Sequence, residues 1–289
     1  MAQVSSLWNI LSVIPLPILK AFSIIGSKIH YLIDKKHVKE CERMVVLSDI
    51  DSDPKKVIAG MYDHIWKTLP EIFWASKVSQ EEYAKRVHGY EGLIEYIEQN
   101  YKDQSILFLT AHYGAWELVP HTISKMITPI LCNYKPTKYQ WVNNFIKRAR
   151  TQKDFTNIEK DGSIVKIFKQ LKKGHSAGMV IDQHGGDQGV ISRFLGVPCK
   201  SWDIMATLSS RANCPIIPVV IIRESQDYKF LWEKAIQPIY DDNKKLDIEQ
   251  TTLLIDNTFS DFIRKAPEQW MWLGRRWGRD FENLMREDK

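Results

Sequence analysis

The sequence predicts a single α/β domain, with a mainly parallel central sheet flanked by helices and an apolar N-terminal helix that anchors it to a membrane. Three observations carry this. Short apolar runs of strand length alternate along the chain with segments whose apolar residues recur at helical spacing, the pattern of crossover connections between parallel strands. The 289 residues are 44% hydrophobic, enough for one large core, and show no repeat, low-complexity tract or long linker. Residues 7–25, "LWNILSVIPLPILKAFSII", are strongly apolar. The division that follows is an anchor at residues 1–35 and one domain at 36–289.

Each element has its own justification. In the N-terminal segment Asn9, Pro15, Pro17 and Lys20 interrupt a run that would need about 18–20 apolar residues to span a bilayer. Lys28, Lys35, Lys36 and Lys39 follow, which suits a segment lying in, or just entering, a cytoplasmic membrane face with cations among the headgroups. It lacks the basic start and the small-residue cleavage site of a signal peptide, and an apolar helix packed on its own domain is the competing reading. Asp53 then Pro54 reads as an N-cap with proline at the first helical position, and Val57, Met61, Ile65, Leu69 and Phe73 continue a helix disturbed at Pro70. "GLIEYIEQN" is a second helix, and it leads into the strand "QSILFLT". Further strands are "ITPILCNY", "SAGMVID" and "CPIIPVVII". The helices between them are "YQWVNNFIKRAR", "SIVKIFKQLKKG" and "DIMATLSSRAN". A loop and a late helix ending before Pro267 close the pattern.

Composition narrows the function classes. Forty Lys and Arg against 35 Asp and Glu give a net charge of +5, which suits anionic lipids, phosphorylated ligands or acidic partners without demanding nucleic acid. Cys41, Cys132, Cys199 and Cys214 are far apart and form no C-x-x-C pair, so they read as free thiols in a reducing compartment.

Three stretches carry possible chemistry. "GHSAG", residues 174–178, matches the G-x-S-x-G elbow of serine hydrolases and would make Ser176 a nucleophile. That elbow needs strand, turn, helix; here a helix with a lysine-rich last turn precedes the motif and a strand follows it, so Gly174 reads as a helix C-cap. "DQHGGDQG" could offer Asp182, His184 and Asp187 to a cation, but the chain has no H-E-x-x-H and no compact His/Cys cluster, and no metal is expected. The third is "TAHYGAWELVP". His112 falls just past a strand end, where α/β folds place ligand chemistry. Five steps of about 100° would put His112 and Glu117 about 140° apart on one regular helix. They form a pair only if His112 is on the turn, where a carboxylate can accept from one imidazole nitrogen and leave the other as a base. A surface histidine and a glutamate at a helix N-terminus is the competing reading, and spacing leaves both open.

Other blocks along the chain bear on that choice. "LTAHYGAWEL", with "VHGYEGLIEYIEQ" before it and "NYKPTKYQWVNNFIKRAR", "LKKGHSAGMVIDQHGGDQGVISRFLGVP", "CPIIPVV" and "PEQWMWLGRRW" after it, resembles in content and order the late acyltransferases of bacterial lipid A biosynthesis. These are lauroyl and myristoyl transferases of the lysophospholipid acyltransferase superfamily, and the likeness covers nearly the whole chain. "CKSWDIMATLSSRAN" departs from the family's Thr-rich, Gly-containing start to that helix, which leaves chain length and acceptor unassigned. The resemblance implies a glycerolipid-acyltransferase-like fold on the cytoplasmic face of a bacterial inner membrane. It also implies acyl transfer from acyl carrier protein to a hydroxyl of a phosphorylated lipid A precursor or related glycolipid, with no cofactor and no acyl-enzyme. His112 is then the base and Glu117 the acid that orients it. Lys135, Arg148 and Arg150 fall in the block implied to hold phosphate or acyl donor, and Asp182, Gln183 and Arg193 are expected to bind rather than make bonds. In a membrane enzyme "WMWLGRRWGR" would set Trp270, Trp272 and Trp277 at the membrane interface, with Arg275, Arg276 and Arg279 on phosphates; the same interleaving of rings and arginines could stack on nucleic acid, but nothing else marks a nucleic-acid fold. An acyltransferase acting on another glycolipid or lysophospholipid, a serine hydrolase using Ser176, and a non-catalytic lipid-binding protein are the competing functions.

Overall fold

A computed structural model describes residues 14–134, 140–150, 154–159, 162–278 and 281–287. Among these, three helices come first: α1 (Leu16–Ile33), α2 (Lys35–Leu47) and α3 (Pro54–Ala75). Pro17 helps start α1, and the Asp53 carboxylate caps α3 by accepting from the Lys55 N–H at 2.9 Å. The disturbance expected at Pro70 does not end α3, although the missing N–H costs it one backbone bond.

The short α4 (Gln80–Ala84), β1 (Val87–His88) and α5 (Glu91–Asn100) lead into β2 (Leu107–Thr110). After β2 come α6 (Leu118–Thr122), a π-turn (Ile123–Ile127), β3 (Ile130–Tyr134), α7 (Gln140–Arg150), β4 (Phe155–Glu159), α8 (Ser163–Leu171) and β5 (Ser176–Val180). A hairpin of β6 (Val190–Phe194) and β7 (Val197–Ser201) precedes α9 (Ile204–Ala212), β8 (Ile216–Glu224), β9 (Asp227–Trp232), α10 (Ile248–Lys265) and α11 (Phe281–Glu287). The main sheet has the order β1-β9-β8-β2-β5-β3-β4, parallel throughout except where β9 returns beside β8. Successive residues of β2 serve opposite faces, as strand pleat requires: Leu107 and Leu109 join one apolar core, and Phe108 joins the other. The chain leaves β2 for β3 on one side and leaves β5 for β8 on the other. The carboxyl ends of the adjacent β2 and β5 therefore open at a topological switch point, where such sheets bind ligands.

The β6–β7 hairpin was not expected from sequence. Its two turn residues both have positive φ, 49° at Leu195 and 76° at Gly196, which matches the right-handed twist of the strands. A buried leucine in that conformation hides the turn from any composition-based reading. Helix α1 lies along α3 and points an apolar stripe away from it: Ile18, Phe22, Ile25, Ile29 and Leu32 are exposed, with Phe22 at 65%. No described helix is long and apolar enough to cross a membrane.

Where α1, α3 and the β8–β9 edge meet, charge is buried. Glu71 is fully buried and accepts from Arg223 at 2.8 Å and 2.6 Å and from the Tyr228 hydroxyl at 3.1 Å, with the Lys20 ammonium 3.7 Å away. Arg223 also donates to His64 Nδ1 at 3.1 Å. That bond needs a neutral imidazole, and burial together with the Arg223 charge pushes His64 down to about 2. Removing one member strands the others in a low-dielectric interior. Glu71→Ala should cost about 3–5 kcal/mol of unfolding free energy, read from urea denaturation midpoints at unchanged slope.

Candidate active site

The site is built from strand register. Thr110 of β2 pairs with Val180 of β5, and Ile181 N–H donates to the Thr110 carbonyl at 3.0 Å. Continuing two residues along each strand sets His112 opposite Asp182. His112 N–H donates to Asp182 Oδ2 at 2.8 Å, and Nδ1 lies 2.8 Å from Oδ1. A buried carboxylate accepts hydrogen bonds, so Nδ1 carries the proton and Nε2 is left as the basic nitrogen. The ring sits edge-on to Trp116, 5.6 Å between centroids, and its side chain keeps 21% of its surface open.

The turn that carries His112 is possible only with glycine at 114. Its φ is +59°, and an added Cβ would lie 1.9 Å from the Ile221 carbonyl oxygen. The same oxygen receives the Ala115 N–H at 2.7 Å, so β8 clamps the turn. On the other side residues 269–271 pair with it: Gly114 N–H donates to the Gln269 carbonyl and Met271 N–H to the His112 carbonyl, both at 2.9 Å.

The structure corrects the expected partnership. His112 does lie on the turn after a buried strand, but its hydrogen-bonded carboxylate is Asp182, not Glu117. Glu117 is at the start of α6 and is held bidentately by Arg150 from the end of α7, Nε to Oε2 at 2.9 Å and Nη2 to Oε1 at 2.5 Å. A guanidinium fork matches both carboxylate oxygens at once, which a single imidazole N–H cannot do. Asp182, expected only to bind, instead contacts the imidazole directly. Glu117 still acts on His112 through its charge.

Electrostatics follow from that arrangement. Burial alone would lower the His112 pKa, but the charge of Asp182 and its hydrogen bond outweigh burial and hold it above the ordinary histidine range. Burial would raise Asp182, yet the facing His112 and the donors around the carboxylate keep it below the usual range; Arg150 does the same for Glu117.

The structure brings His112, Glu117, Arg150 and Asp182 into one neighbourhood. Gln183 is next to Asp182 with its side chain exposed, and its carbonyl accepts from Arg276 at 3.4 Å. Arg148 is exposed on α7, while Arg193 of β6 donates to the Gly196 carbonyl of its own hairpin at 3.1 Å. Lys135 lies outside the described residues. Ser176 is the first residue of β5, buried, and its oxygen accepts the Ile106 N–H at 3.2 Å, so it sits in a strand and not on an elbow. Among the described residues no group of three possible ligands converges on a metal site, and His184 Nδ1 accepts from the Gly186 N–H of its own loop.

The aromatic C-terminal segment also departs from expectation. Trp270, Trp272 and Trp277 are buried against one another and do not lie in an interface. Arg276 is fully buried and donates to Asp256 at 2.8 Å, so it is not placed on a phosphate. Arg279 lies outside the described residues. Trp270 Nε1–H donates to Asp182 Oδ2 at 2.8 Å, a role no local sequence pattern signals because the two residues are 88 positions apart. Beside the site, a narrow cavity of about 60 Å³ is walled by Phe108, Trp116, Val119, Ile123, Ile130 and Phe155, with Glu117 and Arg150 also in its lining.

These features belong to an acyltransferase that works on lipid. More specifically, residues 4–279 match the model of the bacterial lipid A biosynthesis acyltransferases, and the chain belongs to that family. No curated protein matches it. Among solved structures it is similar to the 1-acyl-sn-glycerophosphate acyltransferase PlsC from Thermotoga maritima, at 12% identity and a TM-score of 0.38, covering 85% of this chain and 96% of that one.

As the base expected from sequence, His112 must be neutral to act, so activity should climb with pH through a midpoint above the ordinary histidine range. Asp182→Asn removes the charge that raises His112. The acid limb of the kcat profile should therefore move to lower pH while kcat falls about 100- to 10,000-fold.

Proposed function

We propose that this protein transfers a fatty acyl chain from the thioester of an acyl carrier protein to a hydroxyl of a phosphorylated lipid A precursor, at the cytoplasmic face of a bacterial inner membrane. The observation that carries the chemistry is the His112–Asp182 contact, which leaves Nε2 of the neutral ring unprotonated at the carboxyl ends of β2 and β5. In this reading Nε2 takes the proton of the acceptor hydroxyl as its oxygen attacks the thioester carbonyl. The tetrahedral intermediate then collapses, the C–S bond breaks, and the imidazolium returns the proton to the departing thiolate. Ester and free carrier thiol are the products, and no acyl-enzyme forms. General base catalysis of this kind contributes about 100- to 10,000-fold. Asp182 steadies the imidazolium at contact distance, and Glu117 does so from further off. The apolar cavity beside Trp116 offers a path for the first methylenes of the acyl chain.

The anchor reading also has support. The outward stripe of α1 and the exposed Lys28 suit a helix lying in the plane of the interface, apolar face in the acyl region and cation among phosphates. The basic residues Lys135 and Arg148 remain our candidates for the acceptor's phosphates, with Gln183 and Arg193 as further binding residues. Arg150 is committed to Glu117 and would act on the substrate only through its charge.

The test is to incubate purified protein in detergent with acyl carrier protein thioesters of several lengths and a tetra-acylated lipid A precursor, then weigh the lipid. The expected product gains one acyl group, and His112→Ala abolishes the gain while the protein stays folded by circular dichroism. No mass gain with any donor, or full activity in His112→Ala, would overturn the proposal.

A further inference from the structure

Asp182 accepts three hydrogen bonds, and two of them come from a single residue, the backbone N–H and Nδ1 of His112. Those two travel with the turn, so by themselves they would let imidazole and carboxylate swing together. The third donor, Trp270 Nε1–H, comes from a separate segment, and it meets the same Oδ2 that receives the His112 N–H. That segment is fixed from outside the site. The Gln269 amide accepts the Arg223 N–H at 2.9 Å and donates to the Arg223 carbonyl at 3.1 Å, tying residues 269–271 to β8. The indole is 1% exposed and packed against Phe194, Trp272 and Trp277, with centroids 5.3, 4.8 and 5.6 Å away, so its rotamer is locked.

We propose that Trp270 is a positioning residue for acyl transfer: its indole N–H, anchored to β8 through Gln269, fixes the Asp182 carboxylate, and through it holds the His112 ring with Nε2 turned toward substrate. The inference rests on His112 being the base, and goes beyond that reading by giving the tryptophan-rich block a part in the reaction. Second-sphere donors of this type hold the first contact within the narrow geometry that proton transfer needs.

Trp270→Phe keeps a ring and removes the N–H. A hydrogen bond to a charged acceptor is at stake, so kcat should fall about ten- to a hundredfold while KM for both substrates stays within about twofold. The freed carboxylate concentrates its charge on His112, so the acid limb should move to higher pH. The other charges acting on this pair, Glu117 and Arg150 around His112 and Arg276 near Asp182, are unchanged by the substitution. Trp272→Phe is the control. Trp272 is buried in the same cluster and donates to the Pro267 carbonyl at 2.9 Å, so it should lower Tm without moving the pH profile. Histidine-labelled NMR, assigned with His112→Ala, reads the His112 titration with no substrate present and so separates this proposal from the choice of substrate. If Trp270→Phe does not fold, benzothienylalanine at 270 removes the N–H in an isosteric ring. A kcat and His112 titration like wild type in the folded variant, or equal shifts in Trp270→Phe and Trp272→Phe, would overturn the proposal.

Discussion

The buried carboxylate of Asp182 is the constraint on which the site depends. At 2% exposure an ionised carboxylate is tenable only with its oxygens supplied with donors, and here each donor comes with a structural demand. The His112 N–H requires the turn after β2 to bend toward β5. Nδ1 requires one tautomer and one ring orientation. The indole requires the C-terminal segment to lie against that turn. Satisfying one charge thus fixes strand ends, ring and segment together.

The neighbouring Glu117 shows why two carboxylates near one imidazole need not share it. Two anions competing for a single N–H would repel each other in a dry site, whereas a guanidinium takes one of them completely. Arg150 does this from α7, so charge alternates across the site from Arg150 to Glu117 to His112 to Asp182. Glu117 remains close enough to favour the imidazolium without fixing the ring. An acid can therefore act on a base four intervening residues away along the chain while another, 70 positions on, makes the contact.

Much of the fold was legible because its signals are local. The runs around Leu107, Ile130, Ser176 and Ile216 are strands, the helices between them begin and end close to the expected residues, and Gly174 does take positive φ after a lysine-rich turn. What was not legible depends on pairing between distant strands. No local pattern says that β2 lies beside β5, yet that adjacency alone brings residue 182 to residue 112. The sequence motif placed an acid near His112 and named the nearer one in the chain. The tryptophans misled for a related reason: rings interleaved with arginines read alike at a membrane interface and in a core, and the burial of Arg276 against Asp256 and Ser201 rests on distant parts of the chain.

Arg223 has a further meaning in time. It joins Glu71, which also pairs with Lys20 near the start of the chain, to Gln269 near its end, and Gln269 carries the strand-like segment that closes the His112 turn. A ribosome delivers these parts in order. The outward apolar stripe of α1 is complete some 240 residues before Gln269 emerges, a gap set by the positions themselves. The stripe of α1 thus exists while Asp182 still lacks its indole donor. The hydrogen-bonded network around Asp182 is therefore closed by the last-made part of the chain, once residues 269–271 lie against the His112 turn.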